Sequence, residues 1–196
     1  MREILQLETI DVRRSRIEDF EAYLASKSQW ADVRWSGFAA PPDAVALRRW
    51  YLEQLENPLR HMFTALVDGV AAGYVHFRQS GTAAETSQGI DLHAMRRVRR
   101  NAPRRAHGYC SEFRMEALTK LGEDVPGISR VESWVSEQNK PMEQCVLRSG
   151  FTLTELTRPH AFLLPQPHTE TMRLWTFELG RRPAERHTDK VRSRER

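Results

Sequence analysis

Arg104-Arg105-Ala106-His107-Gly108-Tyr109-Cys110-Ser111 is the stretch from which the fold is read. It follows a strand-like run, Ile90 to Val98, and opens a helix-like run, Ser111 to Leu121. A glycine at such a bend lets the backbone come close to a ligand, because no Cβ stands in the way. The first turn of the helix presents unpaired N–H groups and the positive end of its dipole, a combination that binds phosphate. Arg105, three residues before Gly108, adds a guanidinium fork suited to phosphate oxygens. Taken alone, one glycine and one arginine favour a blander reading, a loop and a helix start beside an arginine-rich surface. The elements on either side decide between the two.

Upstream, Ile4 to Val12 reads as a first strand, and Ser15 with Glu18 fits a capping box for a helix to about Ser26. Gln29 to Ala40 loses periodicity and is expected as a loop crowded by Trp30, Trp35 and Phe38. These three are candidate walls of an acceptor pocket, although core packing accounts for each one singly. A second helix is expected after Pro41-Pro42-Asp43, ending at Asn57-Pro58. Met62 to Val67, Asp68-Gly69 and Val70 to Phe77 specify a tight hairpin. Gly81 to Gln88 is expected as a polar loop before the strand at Ile90, which places Asp91 and His93 on one face.

Downstream, Gly122 is expected to stop the helix, and Ile128 to Val135 reads as a strand. Asn139 suits an N-cap and Pro141 an early helical position, for a helix ending at Gly150. Phe151 to Leu156 and Met172 to Leu179 are the last strands, joined by a long connection with three prolines, Arg158 to His168. The tail from Arg181 to Arg196 carries seven basic and three acidic residues and is expected to be disordered.

Composition bounds the function. The 196 residues suit one domain, 1–179, followed by the basic tail 180–196. An α+β fold is expected, a mixed, mostly antiparallel sheet flanked by helices. No apolar run approaches the roughly 20 residues that span a bilayer, and the amino terminus has no apolar signal core, so a cytoplasmic place is expected. Two cysteines make neither a disulfide framework nor a zinc quartet, and no metal is expected. The net charge of +4 is local: Leu92 to Ser111 holds six arginines and no acid. Such a cluster attracts a polyanionic ligand, whereas nucleic acid is disfavoured because no aromatic residues alternate with the arginines.

The element order and two motifs resemble the GNAT superfamily of acyl-CoA-dependent N-acyltransferases. Arg105-Ala-His-Gly108-Tyr-Cys110 resembles its arginine/glutamine-x-x-glycine-x-glycine/alanine turn, with cysteine in the last small position. Asn139 stands eleven residues before Gly150, as the asparagine of that superfamily does before its glycine. The resemblance implies a GNAT-like fold with central splayed strands and acetyl-CoA as donor to an amine, in a monomer or homodimer. It implies that Arg105, Ala106, His107, Gly108, Tyr109, Cys110 and Ser111 hold the pyrophosphate. It also implies that Met95 and Val98 lie on the strand edge that pairs with the pantetheine arm, and that Asn139 holds that arm from the other side.

His93 or Asp91 is the base that the resemblance implies for the acceptor amine, which is protonated at neutral pH. For His93 a structural role is an equal reading; His76 is a weaker candidate, and Cys145 reads as a buried small residue. One departure is plain. Many members carry a tyrosine seven residues after the asparagine as general acid, and here that position is Val146. An acyl-CoA-binding module without turnover is therefore the second reading, and a nucleic-acid-binding protein the third.

Overall fold

The computed structural model describes residues 9–91, 94–95 and 108–180. Asp68 and Gly69 set the amino-terminal half of the sheet. Both take positive φ, 50° and 77°, and Val67 pairs with Val70, the tight hairpin that Asp-Gly favours. β1 (Ile10–Arg14) pairs antiparallel with β2 (Arg60–Val67), which the hairpin joins to β3 (Val70–Ser80). Of the expected strand Ile4 to Val12, residues 4–8 lie outside the described residues.

The next strand overturns two expectations. Gly81 to Gln88 is not a loop but mostly β4 (Ala83–Ile90), and strand geometry ends where a strand was expected to begin. The run is polar, yet it alternates: Ala84, Thr86 and Gln88 are buried on one face. Pairing with β3, from Ser80↔Ala83 to Gly73↔Ile90, supplies the backbone hydrogen bonds. After it the chain turns helical at Ala94 and Met95. Asp91 begins this turn, its Oδ1 accepting from the Ala94 N–H at 3.1 Å and its carbonyl from the Met95 N–H at 3.0 Å. Asp91 itself therefore lies beyond the end of the strand. His93, Val98, Arg105, Ala106 and His107 lie outside the described residues, as does the tail 181–196.

The carboxy-terminal half corrects a third expectation. The proline-bearing segment from Arg158 belongs mainly to a strand: β5 (Arg130–Ser136) pairs with β7 (His168–Glu178), and β7 with β6 (Thr152–Phe162). β6 is the edge of the sheet, so Pro159 can stand opposite Thr171 without breaking a ladder on its outer side. The whole is a seven-stranded sheet of order β1-β2-β3-β4-β5-β7-β6, antiparallel except between β4 and β5.

Helices cover both faces. The expected capping box at Ser15 is displaced by one residue: a 3-10 turn, Ile17–Asp19, starts at Arg16, whose N–H donates to Asp19 at 2.8 Å. It leads into α1 (Phe20–Lys27). The crowded loop contains α2 (Trp30–Trp35), and α3 (Ala44–Glu56) is capped by Asp43, which accepts from Ala46 N–H at 2.8 Å. α1 and α3 bury Phe20, Tyr23 and Tyr51 against Met62 and Tyr74. On the other face lies α4 (Tyr109–Asp124), which runs through Gly122 instead of stopping there, with α5 (Lys140–Arg148) beside it. Phe113, Ala117, Leu121 and Val146 join Val12, Phe63, Val75, Val131 and Trp175 in the larger core. No helix among the described residues is long and apolar enough to cross a membrane.

Candidate active site

Two neighbouring strands that part company build the site. β4 and β5 run parallel and pair at Ala83↔Arg130, Ala84↔Val131 and Glu85↔Glu132. Beyond that both continue, β4 to Ile90 against β3 and β5 to Ser136 against β7, with a wedge between them. Among the described residues, backbone groups along the two facing edges have no strand partner there, and an extended amide-bearing chain can pair with such an edge.

Arg114 of α4 bridges the wedge from beneath. Its Nε donates to Gln88 Oε1 on β4 at 2.9 Å, and its Nη1 to Ser133 Oγ on β5 at 3.3 Å. The side chain is 1% exposed, and no carboxylate lies within ion-pair distance of it among the described residues. A cation sealed among neutral partners costs several kcal/mol, roughly, unless something nearby carries opposite charge. It projects positive potential into the wedge. Sequence reasoning missed it, although a signal existed: Arg114 interrupts a helical stripe with Leu118 and Leu121, where an apolar residue belongs.

Where α4 begins, Gly108 has φ 76°, a left-handed conformation that other residues adopt only with strain. It opens a cavity of about 240 Å³ lined by Met95, Tyr109, Cys110 and Ser111, with Gln144, Cys145 and Arg148 of α5 opposite. The start of a helix, with the positive end of its dipole, and the Arg148 guanidinium suit this cavity to a phosphate-bearing ligand. Gln88 ties it to the wedge, its amide donating to the Cys110 carbonyl at 2.6 Å.

Cys145 is buried, as expected, and its Sγ lies 2.6 Å from Cys110 Sγ. The hydrogen bond from Cys110 overcomes burial and, with the charges of Arg114 and Arg148 and the Ser149 hydroxyl, pulls the Cys145 thiol down to about 7. The same hydrogen bond and burial hold Cys110 protonated, well above its ordinary value. Asn139 is buried at the start of α5, where its Oδ1 accepts from Met142 N–H at 3.2 Å. Val146 is fully buried in the core and offers the wedge no hydroxyl.

On the opposite face a larger cavity, about 490 Å³, lies under α1, α2 and α3. Trp35 and Phe38 line it together with Trp50; Trp30 does not, being 58% exposed. Tyr23 Oη, His76 Nε2 and Thr86 Oγ1 are buried with no hydrogen-bond partner among the described residues, and all three residues line this cavity. Burial, with the charges of Lys27 and Arg60, keeps the His76 imidazole neutral, well below its ordinary value. A central space of about 110 Å³ shares Lys27, Trp35, Ser36, Thr86 and Ser87 with the large cavity and reaches Gln88, Arg114, Ser133, Ser136 and Asn139 in the wedge. Asp91 is 4% exposed and accepts from Gln29 Nε2 at 3.1 Å in addition to its cap. The wedge is thus continuous with the large cavity through the central space, and Gln88 joins it to the smaller one by its hydrogen bond to Cys110.

No family model matches the sequence, and no curated protein matches it. Solved structures do. A spermidine N-acetyltransferase from Vibrio cholerae, in complex with CoA and spermine, superposes with a TM-score of 0.69 at 11% identity, over 87% of this chain and 95% of that one. An acetyl transferase from Salmonella typhimurium that modifies the N-terminal serine of a 50S ribosomal subunit protein gives 0.66 at 14% identity, over 87% and 95%. An acetyltransferase of the GNAT family from Streptococcus pneumoniae gives 0.64 at 13% identity, over 88% and 100%. At these identities the likeness is one of fold.

Proposed function

From a GNAT acetyltransferase fold as premise, we propose that this chain is an acyl-CoA-dependent N-acetyltransferase. It moves an acetyl group from acetyl-CoA to an amine, which attacks the thioester directly. The observation that carries this reading is the wedge between β4 and β5, flanked by a phosphate-type cavity on one side and an aromatic cavity on the other. Two substrates that must react are thereby brought to one gap from opposite faces of the sheet.

The residues divide the work. Gly108 to Ser111 and Arg148 would hold the pyrophosphate, the open edge of β4 would pair with the pantetheine amides, and Asn139 would face them from the β5 side. The aromatic cavity would hold the acceptor, whose ammonium must lose a proton before it attacks. Asp91 and His93 are candidates for that step, and His76 joins them because it lines the cavity in neutral form with its Nε2 unpartnered. With a hydroxyl absent at Val146, the departing thiolate would meet the positive potential of Arg114. A thiol with pKa near about 8.5 leaves with little help from an acid.

The test is thiol release from acetyl-CoA across a panel of amines, with calorimetry of acetyl-CoA binding. Wild type should turn over at least one amine, and Gly108→Glu should lose donor binding while staying folded, through its strained φ and added charge. Unchanged acetyl-CoA binding by Gly108→Glu sinks the donor placement. Val146 favours a second reading, an acyl-CoA-binding module, which tight binding without thiol release from any amine would support.

A further inference from the structure

The aromatic cavity is rimmed by cations that its own carboxylates do not match. Arg60 of β2 and Arg78 of β3 are direct cross-strand partners, so two guanidinium groups stand side by side at one end of the cavity. Like charges in that arrangement destabilise a sheet. Glu85 joins Arg78 in a close ion pair and Arg158 at 3.5 Å, so one carboxylate is shared by two arginines. Lys27 is paired with Asp32 at 3.0 Å. Arg60 is left: it is half-buried, and no carboxylate reaches it within ion-pair distance among the described residues. Burial and the neighbouring Arg78 act against its charge and outweigh the pull of Glu85, which Arg78 and Arg158 already share.

Two further observations point to a ligand. Tyr23, 4% exposed, lines this cavity, and its buried hydroxyl has no hydrogen-bond partner among the described residues. The charges of Arg60 and Lys27 both reach His76, which places cations and imidazole around one space. Along β3 and β4 the order is fixed by register. Arg78 faces Glu85, the last residue of β4 that pairs with β5, so the arginine pair stands where the two strands part, and His76 faces Ser87 two residues, about 7 Å, further into the wedge. A ligand between them has its anionic end at the arginines, its apolar body between Trp35 and Trp50, and its other end at the wedge.

We propose, resting on the transferase reading, that the acceptor is an amino-acid-like molecule, an amine that also carries a carboxylate and an apolar side chain. Arg60 and Arg78 bind the carboxylate and so select it. The cavity's 490 Å³ suits a molecule of this size. A polyamine is excluded by the same charges, which repel it.

The experiment compares phenylalanine, phenylalaninamide and spermidine as acceptors with acetyl-CoA, and N-acetylphenylalanine with its amide as direct binders by calorimetry. Phenylalanine should exceed the amide in kcat/KM by about ten- to a hundredfold, the worth of a charge-assisted hydrogen bond, and spermidine should be the poorest. Arg60→Gln should erase most of that gap and Arg60→Lys should restore part of it, with circular dichroism checking the fold of each. Arg78→Gln, which also releases Glu85 toward the cavity, should weaken the carboxylate preference at least as much. Turnover that favours the amide or spermidine overturns the proposal while leaving the transferase reading intact. If no amine is turned over, the transferase reading fails, and the binding arm still decides: N-acetylphenylalanine must bind better than its amide, and lose that advantage in Arg60→Gln. Equal binding, or none, overturns the anion site.

Discussion

Cys145 shows how far one side chain's neighbours can change its chemistry. Its thiol is pulled down to about 7 by contact with Cys110 and by Arg114 and Arg148, and it borders the cavity assigned to the donor. The thiolate is the nucleophile, so carbamidomethylation by iodoacetamide should rise through about pH 7 at Cys145, not through the usual range near about 8.5. The sign follows from the lowered value: below it the thiol is protonated and inert, above it reactive. Cys110, held protonated, should label later. Acetyl-CoA should protect Cys145, and peptide mass spectrometry after brief labelling reads all three outcomes. Labelling that ignores acetyl-CoA would place the donor elsewhere.

Among the elements, β4 carries the most consequence for the least apolar sequence. Gly89 in it has no room for a methyl group: a Cβ there would lie 2.4 Å from Tyr74 Cε1. The Tyr74 ring lies against that glycine, and its hydroxyl donates to Asp32 Oδ1 at 2.9 Å. One small residue therefore lets β3 reach under β4 and hold α2 over the central space. Gly89→Ala should cost about 1–3 kcal/mol through overpacking and lower the thermal midpoint, read by circular dichroism. A variant as stable as wild type would mean that Tyr74 moves freely. β4 was also the element that sequence misplaced. Ala84, Thr86 and Gln88 alternate as a buried face should, but two of the three are polar: Gln88 answers to Arg114 and Cys110, and Thr86 lines the aromatic cavity. The hairpin at Asp68-Gly69 and the cap at Asn139 were legible because their chemistry is local. Arg158 to Phe162 was not, because a proline is permitted in β6 only by its place at the edge, which tertiary pairing decides.

For the whole molecule, fold class and the helix start at Gly108 were readable from element order and a few fixed spacings. The aromatic cavity was legible only in part. Trp35 and Phe38 reach the cavity, while Arg60, Arg78, Lys27 and His76 come together from three elements and no spacing links them. The same long-range assembly predicts a thermal response. Acetyl-CoA would touch both sides of the wedge, so at a hundredfold excess over Kd it should add about 2.7 kcal/mol to stability. For a chain of this size that is a rise of roughly 5–10 °C in Tm by calorimetry, and a Gly108→Glu protein should show no such rise.

The short contact between β4 and β5 has a further consequence. Everything from β1 to β4 is one continuous ladder made by residues 10–90, and everything from β5 to β7 is another made by residues 130–178. The ladders meet over three residue pairs, with α4 as the covalent crossover packed against both. The sheet is therefore severable by design of its connectivity. A cut in the turn after α4, around Pro126-Gly127, would leave two fragments whose strands keep almost all of their own partners. Their reunion would rest on apolar burial along α4 and on Arg114 reaching across to Ser133, not on strand pairing.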